Sequence, residues 1–167
     1  GNQLWQIAGT VAVAFDNGSF PLFPQWKYAE HFNVPREWFT GAQGQESTEF
    51  YDTEPWRDYL QHFPLIEPYS DLLLDIFQPR DSNKFRDIVS DIQPGNAAAV
   101  SVRRGDYAEE WRGHGMLTRD YYLDNWPDGR VLVFSDDPQW CANNLPGEVV
   151  QCDPLTGLFL ISQCREI

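Results

Sequence analysis

The sequence predicts an α/β protein built on a parallel β-sheet, and two observations carry this prediction. The first is the run Ala97–Val102, which is small or β-branched and apolar except for Ser101, and so offers no polar face. Such a run is typical of a parallel strand that is covered on both sides. The second is that predicted strands and helices alternate about every 20 residues after it, which is the order of a parallel α/β sheet.

The first part of the chain is predicted to be helical at its start and irregular afterwards. A stripe at helical spacing marks the first helix: Leu4, Ile7, Ala8, Val11 and Phe15. Asn2 suits its N-cap, and a Gly1-Asn2 turn before a helix would present backbone N–H groups to a phosphate. The ordinary alternative is a capped core helix. Residues 20–69 are rich in aromatics and prolines and predict little regular structure.

Two helices and a hinge are predicted before the first strand. The helices cover Asp71–Gln78 and Lys84–Ile92, and Pro94-Gly95 is a natural hinge. We therefore predict an amino-terminal lobe over residues 1–95 and a second lobe over 96–167.

Helices and strands are predicted to alternate along the second lobe. Thr118 is the predicted cap of its first helix. The predicted elements are a helix over Arg119–Trp126, a strand over Val131–Phe134, a helix over Gln139–Asn144, a strand over Glu148–Cys152 and a helix over Leu155–Cys164.

Composition excludes several classes of function. A formal net charge of −13 argues against nucleic acid and against anionic membrane surfaces as partners. No apolar run approaches the ~20 residues of a membrane span. Aromatic residues make up 15% of the chain, which suits either core packing or a cleft for sugars. The three cysteines fit no zinc pattern and are expected to be reduced.

Arg103 and Arg104 directly follow the first strand and form the first candidate site. In open α/β sheets the carboxyl ends of the strands are where ligands bind. Guanidiniums suit phosphate oxygens, so the pair is a candidate anion receptor. The alternative is that both arginines neutralise nearby acids.

Asp136 and Asp137 follow the second strand and allow three interpretations. Paired carboxylates can hold a divalent metal. Asp137 before Pro138 can instead cap the next helix, because Asp is a preferred cap and Pro suits the first turn. A carboxylate such as Asp136 can also accept two hydrogen bonds from guanine.

Several segments together match the motifs of one family. In chain order, they are GNQLWQ at Gly1–Gln6, SVRRGDY at Ser101–Tyr107, TRDYYLDN at Thr118–Asn125, FSDDPQWC at Phe134–Cys141 and LFLISQC at Leu158–Cys164. They resemble a GNQLFQ opening, an H-x-R-R-G-D-Y signature, a tyrosine-rich helix, an FSDDxxWC segment and the approach to a final motif. The family with these motifs is that of the α-1,2-fucosyltransferases of glycosyltransferase family eleven.

The resemblance implies a GT-B-like fold with two Rossmann-type lobes, in which the amino lobe lies on the acceptor side and the carboxyl lobe binds GDP-fucose. It implies inverting transfer of fucose to the 2-hydroxyl of a galactoside, without a metal or other cofactor. Because the family's final motif and first strand are absent, we expect a fragment with an incomplete carboxyl lobe, poorly active or inactive alone. The compartment would be cytoplasmic or membrane-associated in a bacterial or viral host and the Golgi in a eukaryote.

The resemblance also implies roles for individual residues. Arg103 would bind the β-phosphate and stabilise the departing GDP, and Asn2 would line the diphosphate. Arg104 and Asp106 would hold the loop through a salt bridge, and Asp106 is also a candidate catalytic base.

The remaining candidates contact the donor or replace a family residue. Asp136 would bind guanine, with Asp137 beside it. Ser101 stands where the family has histidine, so one contact to the nucleotide would be weakened or replaced. Two alternatives stay open: a related fucosyltransferase of α-1,6 or protein linkage, in which threonine usually replaces Gly105, and a non-catalytic nucleotide- or glycan-binding module.

Overall fold

The structure is a computed structural model that describes residues 2–39, 60, 62–105 and 116–167. The chain divides into two compact units, Gly1–Asp81 and Ser82–Ile167. This division falls before the hinge at Pro94-Gly95, because the helix that precedes the hinge packs against the sheet of the second unit. The assignment of the lobes to acceptor and donor stays a prediction.

The first unit is helical at both ends. Helix α1 (Asn2–Asp16) buries Ile7, Ala8 and Val11, as its apolar stripe predicts. It ends in a turn where Gly18 has φ of 63°, a left-handed conformation that glycine adopts without strain. The other helices in the described part of this unit are α2 (Phe63–Ile66), α3 (Ser70–Ile76) and the 3₁₀ turns Ala29–His31, Arg36–Trp38 and Glu67–Tyr69.

Aromatic side chains fill the interior of the first unit. Phe15 lies edge-on to Trp38 with ring centroids 6.1 Å apart, and Trp26 stacks on Phe32 at 5.4 Å. Extended pairing in the described part of this unit is limited to the isolated bridges Phe23–Phe39 and Phe32–Pro79. A Rossmann-type sheet in this lobe, and with it the two-lobed GT-B fold, therefore stays a prediction.

Among the described residues, the second unit contains a three-stranded parallel sheet in the order β1-β2-β3. Its strands are β1 (Ala98–Val102), β2 (Val131–Ser135) and β3 (Glu148–Val149). The register of the first two runs from Ala98 opposite Val131 to Val102 opposite Ser135. The predicted parallel α/β architecture is confirmed in this unit, although β3 is shorter than the predicted Glu148–Cys152.

Helices cover both faces of this sheet. They are α4 (Arg86–Ile92), α5 (Arg119–Asp124), α6 (Pro138–Asn144) and α7 (Pro154–Ser162), with 3₁₀ turns at Ser82–Phe85 and Pro94–Asn96. One core cluster contains Ala97, Ala99, Leu132, Phe134 and Leu160. The other contains Ala98, Val102, Tyr122, Val131, Val133, Cys141 and Leu145. Alternate strand residues thus enter opposite clusters, which explains why the strands are apolar except for Ser101 in β1 and Ser135 in β2.

Side-chain caps begin three helices of this unit. Thr118 Oγ1 accepts a hydrogen bond from the backbone N–H of Tyr121 at 3.3 Å, which confirms the predicted cap of α5. Asp153 caps α7 by accepting from the N–H groups of Leu155 and Thr156. Asp137 caps α6 and is treated below. No helix in the described ranges is long and apolar enough to span a membrane.

An ion pair joins β3 to the residue before β2. Arg130 Nε and Nη2 donate to the two carboxylate oxygens of Glu148 at 2.8 and 2.7 Å, while Arg130 Nη1 donates to the carbonyl of Ile92 at 2.7 Å. Arg130 therefore ties the end of α4 to the sheet. The hydrogen bond from Arg130 lowers the pKa of Glu148.

This pair predicts a pH-dependent stability. Because the pKa of Glu148 is lower in the folded chain, its contribution is complete above the unfolded value of about 4.3 and is lost as pH falls through the folded value. Urea unfolding of wild type and Glu148→Gln from pH 7 downward should show free energies of unfolding that converge in acid. A constant difference at every pH would contradict this role.

Gly147, between α6 and β3, lies where a side chain has no room. A Cβ here would lie 2.7 Å from Val133 Cγ2 and 3.0 Å from Trp126 Cζ2. We expect Gly147→Ala to lower the free energy of unfolding by about 1–3 kcal/mol through overpacking. Gly95→Ala is the control, because the nearest atom to its Cβ is 3.9 Å away. Equal stability of the two variants in urea unfolding would contradict the packing described.

Candidate functional site

The ends of β1 and β2 bring the two charged pairs of the sequence together. Val102 and Ser135 are paired in the parallel register, so Arg103-Arg104 and Asp136-Asp137 leave the same edge of the sheet side by side. This is the carboxyl edge, where ligands bind in open α/β sheets. The two charged pairs therefore meet at this edge of the sheet.

Arg104 is held at this edge by three contacts. Its backbone N–H donates to Asp136 Oδ1 at 2.8 Å, and its Nε donates to Asp137 Oδ2 at 3.4 Å. Its guanidinium carbon lies 3.8 Å from the ring centroid of Trp140. The Arg104 side chain is 14% exposed, so these contacts leave little of it open to solvent.

Asp137 uses both carboxylate oxygens within the fold. Oδ1 accepts the backbone N–H of Trp140 at 3.1 Å and Oδ2 faces Arg104, while its own N–H donates to Ser135 Oγ at 2.9 Å. The predicted helix cap is thus confirmed. Within the described residues, no group of three or more His, Cys, Asp or Glu side chains could hold a metal ion. A contact from Asp137 to substrate stays a prediction.

Asp136 is exposed and closely approached by Gly105. A Cβ at Gly105 would lie 3.1 Å from Asp136 Oδ2 and 3.3 Å from its Cγ. Glycine therefore leaves the space in which this carboxylate lies while it accepts the Arg104 N–H. A larger residue at position 105 would have to shift the Asp136 side chain.

Positive and negative side chains lie together at this edge of the sheet, so the positive charge of the arginine pair is partly neutralised. The positive charge of Arg104 is balanced by the carboxylate of Asp137, with 3.4 Å between Nε and Oδ2. The Arg104 guanidinium therefore has a partner within the fold. Arg103 is exposed and directly follows β1, and Ser101 is exposed on the same strand. Because Arg103 is exposed whereas Arg104 is half-buried, Arg103 is the arginine that an anionic ligand can reach.

Two predicted site residues cannot be placed at this edge. Asp106 lies outside the described residues, and with it the predicted Arg104–Asp106 salt bridge. Asn2 is the first residue of α1 in the first unit, and its side chain also lies outside the described part of the chain. Their roles stay predictions.

Sequence analysis did not identify Trp140 as a site residue, although its position relative to the predicted cap Asp137 places it close to the site. It lies three residues after a predicted cap, where the backbone N–H is the one that the cap accepts. Its ring lies edge-on to Tyr122, with centroids 6.2 Å apart.

Burial raises the pKa of Tyr122 and the pKa of Cys141. Both groups are therefore protonated at neutral pH, and the Cys141 thiol is a core residue rather than a nucleophile.

The fold and this edge define a class of protein, the α/β proteins in which a parallel sheet carries charged side chains at its carboxyl edge, where such sheets bind ligands. Comparison with known proteins names the family. The family model described as Glycosyl transferase family 11 matches residues 20–166. The chain belongs to this family, that of the α-1,2-fucosyltransferases. No curated protein and no solved structure matched the chain.

The matched region contains both halves of the site. It includes the arginine pair and the aspartate pair, whereas the Gly1–Gln6 segment precedes it. Membership implies a glycosyltransferase with fucosyltransferase activity, which requires a nucleotide-sugar donor and a glycan acceptor.

Proposed function

We propose that the protein transfers fucose from GDP-fucose to the 2-hydroxyl of a galactose-containing glycan, with inversion at the anomeric carbon and without a metal ion. The proposal adds the donor, the linkage and the acceptor to what family membership implies. It also places the reaction in a GT-B fold, in which the carboxyl lobe binds the donor. The single observation that carries it is the meeting of Arg103-Arg104 and Asp136-Asp137 at one sheet edge.

Arg103 is the proposed ligand of the donor diphosphate. It is exposed at the end of β1, at the carboxyl edge of the sheet. A guanidinium keeps its charge at any physiological pH and donates two parallel hydrogen bonds to phosphate oxygens. Negative charge grows on the diphosphate as the bond to fucose breaks. A fixed cation at the β-phosphate therefore stabilises the transition state more than the bound donor.

Asp136 is the proposed ligand of guanine. Guanine presents two neighbouring N–H donors, and an ionised carboxylate accepts both. The backbone N–H of Arg104 holds Oδ1 of this carboxylate at 2.8 Å, and its exposed position leaves further acceptor capacity. A carboxylate that is already oriented loses less side-chain freedom on binding.

The chemical step is a single displacement. The acceptor 2-hydroxyl oxygen forms a bond to the anomeric carbon of fucose as the bond from that carbon to the β-phosphate oxygen breaks. The electron pair of the broken bond leaves with GDP, and the hydroxyl proton passes to a base. Asp106 is the proposed base, because it follows the arginines by two or three positions and a carboxylate can accept this proton.

The test is to identify the product by NMR. The chain is incubated with GDP-fucose and a galactoside acceptor, and the linkage is read from the acceptor carbon whose shift changes. An α-linked fucose on the 2-hydroxyl is expected. Another linkage would favour a related fucosyltransferase and would contradict the proposal. Donor binding without any product would favour a binding module.

A further inference from the structure

The guanidinium of Arg104 lies over the ring of Trp140 in a cation–π contact, with 3.8 Å between the guanidinium carbon and the ring centroid. We propose that Trp140 is a positioning residue of the donor site. Its ring holds the Arg104 side chain, and the Arg104 backbone in turn holds the Asp136 carboxylate and sets the direction in which Arg103 leaves β1. The consequence for nucleotide binding rests on the proposed function, whereas the geometry of Arg104 does not.

The position of Trp140 is fixed by contacts other than the one with Arg104. Its backbone N–H is bound by Asp137 Oδ1 at 3.1 Å, and its ring packs against the core cluster that contains Val102 and Tyr122. Its edge-on contact with Tyr122 further orients the indole. The ring is therefore part of the rigid sheet-and-helix core rather than of a loop.

Asp137 and Trp140 bind Arg104 from different directions. A guanidinium whose carbon lies 3.8 Å from the centroid of an indole is attracted to the ring electrostatically and can donate its N–H groups to other acceptors. Nε is thereby available to Asp137 Oδ2 at 3.4 Å. Asp137 also binds the Trp140 N–H, so the three residues form a closed triangle of contacts. Each contact restrains the other two.

The triangle is coupled to the proposed ligand contacts through the main chain. The N–H of Arg104 holds Asp136, and Arg103 is the preceding residue. Loss of the ring would release the Arg104 side chain and loosen this N–H. Displacement of binding groups by as little as about 1 Å can cost up to about 100-fold in activity. A positioning role for Trp140 should therefore be visible in nucleotide affinity.

The first test needs no ligand. Exchange of the Arg104 backbone amide hydrogen is followed by NMR in wild type, Trp140→Leu and Trp126→Leu. Trp126 is the matched control, because it is a tryptophan that packs against the same core cluster. We expect the Arg104 amide to exchange about tenfold faster in Trp140→Leu and unchanged in Trp126→Leu, since local opening governs its exchange. Trp140→Phe, which keeps an aromatic face, should restore most of the protection.

Unchanged exchange of the Arg104 amide in folded Trp140→Leu would overturn the proposal. Equal acceleration in Trp126→Leu would also overturn it, because it would show a general loss of core stability. Should Trp140→Leu fail to fold, Trp140→Met repeats the test with a larger, adaptable side chain that fills the core but has no ring.

The second test is calorimetric titration of GDP into the same variants. We expect the dissociation constant to rise about tenfold in Trp140→Leu, within the cost of displaced binding groups, and to stay unchanged in Trp126→Leu. In an Arg104→Gln background, Trp140→Leu should add little, because both changes remove the same contact. Additive effects would overturn the proposal. Absence of GDP binding by wild type would instead overturn the proposed function, while the exchange result still decides whether Trp140 positions Arg104.

Discussion

Replacement of Arg103 with alanine is expected to reduce fucose transfer about 100-fold to 1,000-fold, the usual loss when one preorganised donor to a developing negative charge is removed. Arg103 leaves β1 exposed at the carboxyl edge, so the substitution removes charge without opening the core. Initial rates over a range of GDP-fucose concentrations measure the effect. The loss should appear mainly in kcat, because the charge on GDP grows in the transition state.

Two further variants make this result specific. Arg103→Lys keeps the charge but not the planar fork, so partial activity is expected. Arg165→Ala is the matched control, because the Arg165 backbone bonds Ala97 at the opposite end of β1. Five strand residues at ~3.3 Å each place it about 16 Å from the site edge. Equal losses in Arg103→Ala and Arg165→Ala would contradict the assigned role.

Asp136→Asn is expected to remove the preference for guanine. Asparagine keeps an oxygen that can accept the Arg104 N–H but offers guanine an amide donor in place of the second acceptor. A hydrogen bond to a charged group contributes about 1.5–3 kcal/mol, so GDP affinity should fall about tenfold or more. Inhibition constants for GDP and for inosine diphosphate, which lacks the 2-amino group, measure the change.

The pair of nucleotides isolates the base contact. Wild type should bind GDP about tenfold or more tightly than inosine diphosphate, and Asp136→Asn should bind both within about threefold. Asp128→Asn makes the same change of charge on an exposed residue near the start of β2 and should keep the wild-type preference. A preference that survives in Asp136→Asn would assign guanine to another group.

The sheet and its caps could be predicted because their signals are local. Strands buried on both faces must be apolar at successive positions, and Ala97–Val102 and Val131–Phe134 show this in sequence. A cap acts within one turn, so Thr118 and Asp137 could be recognised from their neighbours alone. The shortness of β3 could not be predicted, because its pairing with Leu132 and Val133 depends on where the chain leaves the sheet.

The contacts inside the site could not be predicted, because they depend on register. Asp137 lies 33 residues from Arg104 along the chain, and nothing local selects it over other acids as the partner. The parallel alignment of Val102 with Ser135 makes the choice. The contact between Trp140 and Arg104 depends on the same alignment, since α6 places the Trp140 ring against the Arg104 side chain. Sequence alone therefore named the charged pairs but not the contacts that hold Arg104.

The most direct test of the central claim is calorimetric titration of GDP into the wild-type chain, Arg103→Ala and Arg165→Ala. The donor diphosphate is assigned to the carboxyl edge of β1, so wild type and Arg165→Ala should bind GDP with micromolar affinity, of the order of −8 kcal/mol, and Arg103→Ala should lose that binding. No binding by folded wild type, or equal binding by Arg103→Ala, would contradict the assignment.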